Sequence, residues 1–517
     1  MYLTKAVNME EAIREYYTQS EKWHSDIYTS ISVKHPDIII KAVKNFNSIL
    51  NLNDQWNDVV LNSSSATIYQ TFEWLYNWWN YFAASKSNSP HILLISSSGK
   101  LIGIAPFYIQ SYTFGGFIIH RQLKLIGCGL KSGTFLSNAI EENGVSDYLD
   151  IIALNNYEKK VADAVVSYLS EYKNLFNEID FQNVSEGSFI FKWLLPQLQI
   201  KNFRAQITKT DACPRLTVPR SIDIYLGSLK ASTRRKFRQI QRQTEKYSDI
   251  EIIKVCDTNF LNSIQTLKHL HQSRWNELGH LGLFADKRFE EFIIHVCKIF
   301  FNKGWLWFKE AKFNNKIIAT RMAYQFKDRI YDYLSGFDHK HFPAFLRPGM
   351  ALIFTMIDDA ISHNYGTVDF LRGTEEYKYE FSSDEHNNYD LIIIQPDSVF
   401  VIRKVFFYFL KTRMRLMFRV KTETAIIKLQ IGKHGKIMFL FSYFRFCLSR
   451  LRVSSTKNKR IYFKEEKIQE PQSNIILQKQ ATRKNKNSRQ QRIVKSVVHS
   501  LQHGGSEDEL PTVKNKL

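Results

Sequence analysis

The first clear pattern of apolar and polar positions begins near residue 68. Residues 68–82 (IYQTFEWLYNWWNYF) place apolar side chains at helical spacing and carry many aromatic rings, which predicts a helix with a buried face. Residues 91–110 (HILLISSSGKLIGIAPFYIQ) place two apolar runs around Ser98 and Gly99, which is typical of an antiparallel hairpin with a tight turn. The segment therefore predicts one helix followed by two paired strands.

The same order of elements recurs in the second half of the chain. Residues 284–301 (FADKRFEEFIIHVCKIFF) predict an amphipathic helix, and residues 305–326 (WLWFKEAKFNNKIIATRMAYQF) predict two strands around residues 314–315. Each half then closes on a later strand, which contains Asp180 in the first half and Asp369 in the second. The repetition predicts an internal duplication. Two unrelated α+β modules with similar hairpins stay open as the alternative.

A strand, a loop, a helix and a strand follow the second hairpin. Residues 329–337 predict a strand, Pro348 and Gly349 open an apolar helix, and residues 367–371 predict the next strand. Proline is favoured in the first turn of a helix, where its missing N–H is not needed. The free N–H groups and the positive dipole end beside it attract anions. This unit indicates a place to hold a phosphate-bearing acyl donor.

The net charge lies in the C-terminal tail. The 517 residues include 71 Lys and Arg against 50 Asp and Glu, but residues 401–517 alone hold 27 basic and 7 acidic residues, so the rest is nearly neutral. Residues 401–452 interleave aromatic rings with Arg and Lys, which favours contact with an anionic membrane surface. Nucleic-acid binding is the less favoured alternative, and packing of the apolar part on the core also stays open.

Several classes of site and location are disfavoured by the sequence. The five cysteines are scattered without a CxxC pair, which fits a reducing compartment. The N-terminal residues are polar and charged, which disfavours a signal peptide, and no apolar run is long enough to predict a membrane span. These features predict a cytoplasmic protein, with peripheral attachment at the inner face of the membrane left open. HExxH, GxSxG and Walker patterns are missing, which predicts neither a metal site nor a covalent serine or cysteine mechanism.

The motifs of the second half resemble a known family. Residues 269–284 (HLHQSRWNELGHLGLF), the IIAT of the hairpin, residues 331–352 (YDYLSGFDHKHFPAFLRPGMAL) and residues 368–378 (VDFLRGTEEYK) resemble the GNAT acetyltransferase domain of CelD-type polysaccharide-biosynthesis proteins. That domain is a relative of the Fem-type aminoacyl ligases, which carry two GNAT-like folds in tandem. FEWLYNWW and IGIAPFY in the first half resemble the companion N-terminal half of the same proteins.

The resemblance implies a fold class and a division of the chain. The expected fold is α/β (α+β), with tandem GNAT-like acyl-CoA N-acyltransferase folds whose mixed central sheets are flanked by helices. The expected domains are a helical N-terminal segment (1–65), a first GNAT-like half (66–205), a second half that is the acetyltransferase domain (206–398, with its motifs in 215–385), a basic aromatic amphipathic segment (399–453) and a disordered basic tail (454–517).

The resemblance further implies direct acyl transfer from acetyl-CoA or another acyl-CoA, without a metal. The donor would lie between two splayed strands, with its pyrophosphate at the helix that begins near Pro348. The residues expected to hold it are Leu334, Ser335, Gly336, Arg347, Pro348, Gly349 and Met350. GNAT enzymes usually have a glycine-rich loop there, which this chain lacks, so an aminoacyl-tRNA donor, as in the Fem-type relatives, also stays open.

The candidate catalytic residues come from the same motifs. His271 could take a proton because its unperturbed pKa is near neutral, whereas an acid at a strand end could orient the acceptor. The candidate catalytic residues are His271, Asp369 and Glu375, and the candidate substrate-binding residues are Arg274, Trp275, Arg372, Tyr377 and Lys378. Packing between domains and ordinary ion pairs are the structural alternatives for these residues. A basic run, Arg234, Arg235, Lys236, Arg238 and Arg242, could bind phosphates or form a solvated helix face.

The favoured function is therefore a GNAT-type acyltransferase that acylates an amine or hydroxyl of a saccharide or envelope-precursor acceptor. A Fem-like ligase that uses aminoacyl-tRNA is one alternative. A non-catalytic scaffold for polysaccharide biosynthesis is the other. The sequence does not identify the acceptor or the acyl group, because sites rather than folds determine function.

Overall fold

The computed structural model describes residues 29–32, 37–85, 87–114, 117–130, 144–246, 250–277, 282–338 and 347–394. All of them belong to one compact unit, residues 1–424. The predictions for residues 399–453 and 454–517, including the membrane or nucleic-acid contact of residues 401–452, lie outside the described residues.

Fourteen strands of the described chain form one mixed sheet. They are β1 (Thr29–Ser32), β2 (Ile38–Val43), β3 (Asn88–Ser97), β4 (Lys100–Phe114), β5 (Phe117–Leu125), β6 (Ile152–Ala153), β7 (Glu178–Ser185), β8 (Arg204–Thr217), β9 (Ile250–Lys254), β10 (Leu306–Phe313), β11 (Lys316–Phe326), β12 (Arg329–Phe337), β13 (Thr367–Asp369) and β14 (Asp384–Ile394).

Helices connect these strands. The α-helices are α1 (Asn53–Leu61), α2 (Phe72–Trp78), α3 (Glu158–Glu171), α4 (Leu195–Ile200), α5 (Ile222–Ser228), α6 (Ala231–Lys246), α7 (Phe260–Glu277), α8 (Lys287–Asn302), α9 (Pro348–Ser362) and α10 (Glu376–Phe381). Short 3₁₀ turns cover Phe46–Leu52, Ile68–Gln70, Lys173–Leu175, Asp257–Asn259 and Leu283–Ala285, and π-helical turns cover Trp79–Ala83 and Ile190–Leu194. The helix predicted at Pro348 begins at that residue.

The strand order of the first half repeats in the second half. In the first half β2, β3, β4 and β5 are antiparallel neighbours, and β5 runs parallel to β7. In the second half β9, β10, β11 and β12 are antiparallel neighbours, and β12 runs parallel to β13. The helices α1 and α2 precede β3 just as α7 and α8 precede β10. The predicted fold class, a mixed α/β fold flanked by helices, is confirmed.

The two halves exchange their last strands. β8 follows the first half along the chain but pairs with β13, whereas β14 ends the second half and pairs with β7. β8 and β14 also pair with each other along most of their length. The two central sheets expected from the sequence are therefore joined into one, and each half is completed by a strand from the other.

Both predicted hairpin turns are present. Ser98 and Gly99 join β3 to β4 with φ angles of 49° and 78°, and Asn314 and Asn315 join β10 to β11 with φ angles of 48° and 60°. Two successive left-handed residues make the turn whose twist matches that of paired strands, and glycine and asparagine tolerate this conformation best.

The segment 1–65, predicted as helical, contains helical residues at 46–61 but also strands. Residues 38–43 form β2, which is an inner strand of the sheet. Ile38, Ile40 and Ala42 are buried while Ile39 is exposed, so the apolar side chains follow the two-residue period of a half-buried strand. The sequence analysis missed this short alternation in an otherwise polar segment.

Helices cover both faces of the sheet in the second half. α7 and α8 pack in the same core as Met322 and Leu334, whereas α9 packs on the other face with Ile330 and Val368. The strand end of β12 thus lies between the C-terminal part of α7 and the first turn of α9, and this arrangement positions the candidate site.

Candidate active site

The parallel strands β12 and β13 pair over a short length. The two strands pair only where Arg329–Tyr331 lie opposite Thr367–Asp369. Beyond that point β12 contains a bulge at Tyr333, where the register with β11 shifts. A bulge bends its strand and increases the local twist. The pairing of β12 with β13 thus ends before the bulge, and the splayed strands that the family resemblance implied stay a prediction.

Three elements meet at the end of β12. Gly336 lies directly under α7: a Cβ atom added there would come within 2.6 Å of the His271 backbone nitrogen. The Arg274 guanidinium lies over the Phe337 ring at 4.8 Å, and a Cβ on Gly349 would meet that ring at 3.6 Å. We call these five residues the Phe337 cluster. It brings together predicted residues from α7, β12 and α9.

His271 is held as a neutral imidazole in this cluster. Its side chain is buried, and the Trp275 indole N–H donates to its Nε2 at 3.0 Å. Burial, together with nearby Arg274, lowers the pKa of His271 to about 4. Because an indole can only donate, Nε2 is the acceptor and the ring proton sits on Nδ1. That buried Nδ1 has no hydrogen-bond partner among the described residues.

The depressed pKa of His271 predicts acid-labile stability. The unfolded His271 has a pKa of 6.5 and takes up a proton below that pH, whereas the folded side chain stays neutral down to about pH 4. The free energy of unfolding should therefore fall between pH 6.5 and pH 4, by roughly 3 kcal/mol for this one group. Denaturant titrations across this range should show a smaller fall in the His271→Gln variant. Equal slopes in both proteins would contradict the assignment; His91, which also has a pKa of about 4, contributes equally to both.

The start of α9 offers a limited anion site. Pro348 has no N–H, and the N–H groups of Met350 and Ala351 both donate to the Arg347 carbonyl. Within the described residues this leaves the Gly349 N–H without a hydrogen bond, beside the exposed Arg347 side chain. The helix start therefore supplies one backbone donor, the positive dipole end and one guanidinium.

Asp369 lies in a second group of side chains, and its carboxylate is fully buried there. One carboxylate oxygen accepts from the Tyr148 hydroxyl at 2.8 Å and from the Leu371 N–H at 2.9 Å. The other lies 3.2 Å from Arg215 and 3.7 Å from Arg329. Burial and Asp369 raise the pKa of Tyr148 well above its usual range, so the phenol stays protonated and keeps donating. These contacts tie β13, β12, β8 and the first half together.

Arg372 and Lys378 lie in an adjoining buried group. Arg372 pairs with Asp147 of the first half at 2.9 Å and donates to the Ser146 carbonyl at the same distance. Lys378 donates to the Arg372 carbonyl at 2.6 Å and pairs with Glu375 at 3.0 Å. The Glu375 side chain is about half exposed, so it is the most accessible of the three predicted catalytic side chains.

The remaining predicted residues flank these two groups. Leu334 is buried in the core, and Ser335 is half-buried opposite Arg321. Tyr377 is half-buried in α10, where burial raises the pKa of its phenol. Met350, in the first turn of α9, is partly buried and packs at the edge of the core.

Residues 144–150 of the first half were missed by the sequence analysis. Besides Asp147 and Tyr148, this segment supplies the Val145 carbonyl, which accepts from the Tyr333 hydroxyl at 2.9 Å. Its two acidic residues in an apolar stretch were a signal that charged partners lie nearby, because buried charges are normally paired. Their partners are far away in sequence, so the pairing itself was not visible.

The matching family model now adds to this geometry. Residues 231–379 match the model described as "Acetyltransferase (GNAT) domain". This segment has a GNAT-type fold. It includes the Phe337 cluster, Asp369, Arg372 and Lys378. A search of curated proteins finds no match to the sequence.

Solved structures with a similar chain path have low identity to this chain. FemX is 10% identical, with 69% of this chain and 98% of that chain covered and a TM-score of 0.49. L-PGS from Bacillus licheniformis is 10% identical, with 71% and 95% covered and a TM-score of 0.38. A tandem GNAT protein from the clavulanic acid biosynthesis pathway is 8% identical, with 70% and 100% covered and a TM-score of 0.34.

Two features are absent from the described residues. These residues contain no helix that is both long and apolar enough to cross a membrane. The same residues contain no group of three or more His, Cys, Asp or Glu side chains placed to hold a metal ion.

Proposed function

We propose that the protein transfers an acyl group, acetyl in the simplest case, from acyl-CoA to an amine or hydroxyl of a saccharide or envelope-precursor acceptor. The meeting of α7, β12 and α9 around Gly336 and Phe337 supports this proposal. The start of α9 lies against the Phe337 ring, and α7, which carries the neutral imidazole of His271, lies against Gly336. An anionic donor needs both a phosphate site and a polar group near its reacting carbonyl.

Within this proposal the chain's own residues divide the work. The Gly349 N–H and Arg347 would bind the pyrophosphate, and the edge of β12 from Leu334 to Gly336 would hold the thioester. His271 would donate a hydrogen bond from its Nδ1–H to the oxygen that becomes negative when the acceptor attacks. This role differs from the base expected from the sequence, because Trp275 already occupies Nε2.

Glu375 is the carboxylate that we propose as the proton acceptor. The attacking amine or hydroxyl loses its proton to Glu375 as the new bond to carbon forms, and the carbon–sulfur bond then breaks so that CoA leaves as its thiolate. A half-exposed carboxylate can pass that proton to solvent. Asp369 would act by positioning, because its four buried contacts leave it no access to an acceptor.

Donor binding tests the phosphate site. Acetyl-CoA titrated into the full chain by calorimetry should bind with a dissociation constant on the order of micromolar. Gly349→Glu should weaken binding by about tenfold or more, since it puts a negative charge where the phosphates would lie. The acidic residue also favours the helix N-terminus, so the fold should not suffer.

Gly349→Ala is the matched control for this experiment. Its added methyl group meets the Phe337 ring at 3.6 Å, which is ordinary contact, so binding should stay near that of the unaltered chain. Undiminished binding of acetyl-CoA by Gly349→Glu would show that the phosphates of the donor do not bind at this helix. A folded chain that binds no acyl-CoA would overturn the proposal and turn attention to the second candidate.

A Fem-like ligase that uses aminoacyl-tRNA is the second candidate, favoured by the exposed side of α6. Arg235, Arg238 and Arg242 are exposed at helical spacing, and Ile240 of the same helix lies beside Pro348. A row of guanidinium groups next to the donor site suits a polyphosphate backbone. Replacing the three arginines by glutamine should abolish tRNA binding if this candidate holds, and should change acetyl-CoA binding only modestly if it does not.

The cellular setting is part of the proposal. We place the protein in the cytoplasm, with peripheral attachment at the inner face of the membrane through residues 401–452. The basic and aromatic composition of that segment supports this placement, since such segments bind anionic lipid surfaces. A role in polysaccharide biosynthesis of the CelD type belongs to the same proposal and rests on the motifs of the second half.

A further inference from the structure

The helix that closes the first half carries two large apolar side chains on its outer side. It runs from the π-helical turn at Ile190–Leu194 through α4. Ile190, Leu194 and Leu198 are fully buried. Trp193 and Ile200, seven residues apart and so on one side of the helix, are 38% and 78% exposed. Large apolar side chains that are exposed close together mark a binding surface more often than isolated ones do.

A strand extends this exposed apolar surface. Ile207 of β8 is 44% exposed and pairs with Leu391 of β14, which is buried in the core together with Leu198. Paired residues of neighbouring strands share a face, and α4 packs against β8 on that face. Trp193, Ile200 and Ile207 therefore lie along one surface of the first half.

The same surface is basic. Residues 187–210 contain Lys192, Lys201, Arg204 and Lys209 but no aspartate or glutamate, and all four basic side chains are exposed. Side chains alternate between the two faces of a strand, so Lys209 shares the face of Ile207 whereas Arg204 does not. We call Lys192, Lys201 and Lys209 with Trp193, Ile200 and Ile207 the α4 surface. Asp390, on the facing strand, accepts a hydrogen bond from the Asn183 N–H and so has an internal role.

We infer that the α4 surface docks onto an anionic lipid bilayer. Trp193, Ile200 and Ile207 would enter the boundary between headgroups and acyl chains, where tryptophan is favoured. The three lysine side chains would lie at the level of the phosphates. The charge complementarity selects an anionic bilayer over a neutral one, and the single-sign charge disfavours a second copy of the same surface.

The course of the chain supports this orientation. β14 ends at Ile394, which pairs with Arg204 at the edge of the α4 surface. The segment whose sequence predicts membrane contact begins shortly afterwards, at residue 401. This inference concerns the first half and does not depend on the proposed acyl transfer.

Vesicle binding by the full chain tests the inference. With vesicles of equimolar phosphatidylcholine and phosphatidylglycerol, Trp193→Ser with Ile200→Ser should weaken binding by about tenfold. The matched control, Ile224→Ser with Leu261→Ser, alters residues that are 58% and 50% exposed elsewhere and should bind like the unaltered chain. Pure phosphatidylcholine vesicles or high salt should weaken all proteins. Equal binding by both double variants would overturn the inference.

A local probe separates this surface from the basic segment after it. An environment-sensitive fluorophore is attached to Ile200→Cys or, as control, to Ile224→Cys, in full chains that also carry Cys256→Ser and Cys447→Ser. Anionic vesicles should shift the emission to the blue at residue 200 and leave it unchanged at residue 224. An unchanged emission at residue 200 overturns the inference even if the chain still binds. A shift that needs no vesicles but grows with protein concentration would identify a protein interface instead, and would also overturn it.

Discussion

Replacing Asp369 by alanine is expected to lower the free energy of unfolding by about 3 to 5 kcal/mol. The carboxylate is fully buried and pairs with Arg215 and Arg329, so its removal leaves positive charge without compensation in the interior. It also strands the Tyr148 hydroxyl, whose hydrogen bond crosses from the first half to the second. Equilibrium denaturation of both proteins measures this loss.

Two variants bound the result for Asp369. Tyr148→Phe removes only the hydroxyl and should cost about 1 kcal/mol. Asp384→Asn alters an acid that is 61% exposed at the start of β14 and should change stability by less than about 0.5 kcal/mol. If Asp369→Ala had the same free energy of unfolding as Asp384→Asn, the buried ion pairs of Asp369 would not be what stabilises the contact between these strands.

Replacing Gly336 by alanine is expected to push α7 away from β12. The new methyl carbon would lie 2.6 Å from the His271 nitrogen, and 2.8 Å and 2.9 Å from two atoms of Leu270, none of which is a flexible side-chain end. Overpacking of this kind costs about 1 to 3 kcal/mol of stability. Under the proposed function, a shift of His271 by about 1 Å should also lower kcat/KM on the order of 100-fold.

Gly227→Ala provides the control for Gly336. No atom lies within 4 Å of the added carbon, and the position is inside α5, so the change should be neutral or stabilising by up to about 1 kcal/mol. Denaturation and steady-state kinetics of both variants distinguish the two positions. If Gly336→Ala were as stable and as active as Gly227→Ala, the close contact between α7 and β12 would be needed neither for stability nor for activity.

The elements that local sequence predicts well are those with a local cause. The turns at Ser98-Gly99 and Asn314-Asn315 were predicted because few residues adopt left-handed backbone angles easily. The start of α9 was predicted because Pro348 fits a helix only in its first turn. Each of these causes acts within a few residues, so the sequence alone carries it.

The candidate site was predictable only in part, for a related reason. The motifs marked His271 and Gly349, and the structure brings the His271 backbone to Gly336 and Gly349 to the neighbouring Phe337 ring. The burial of Asp369 depends instead on Tyr148 and Arg215, which are distant in sequence. Strand exchange between the halves was invisible for the same reason: which edges remain free to pair is decided only after the whole sheet has assembled.

The exchanged strands have a consequence for how the chain is made. On the ribosome β7 emerges long before β14, so its outer edge waits without a partner until residues 384–394 have been translated. β8 waits in the same way for β13. An unpaired edge is a template for any other strand, including one from a neighbouring nascent chain. A message cut short before codon 384 would therefore yield a protein with its first half intact in sequence, yet still one strand short and prone to aggregate.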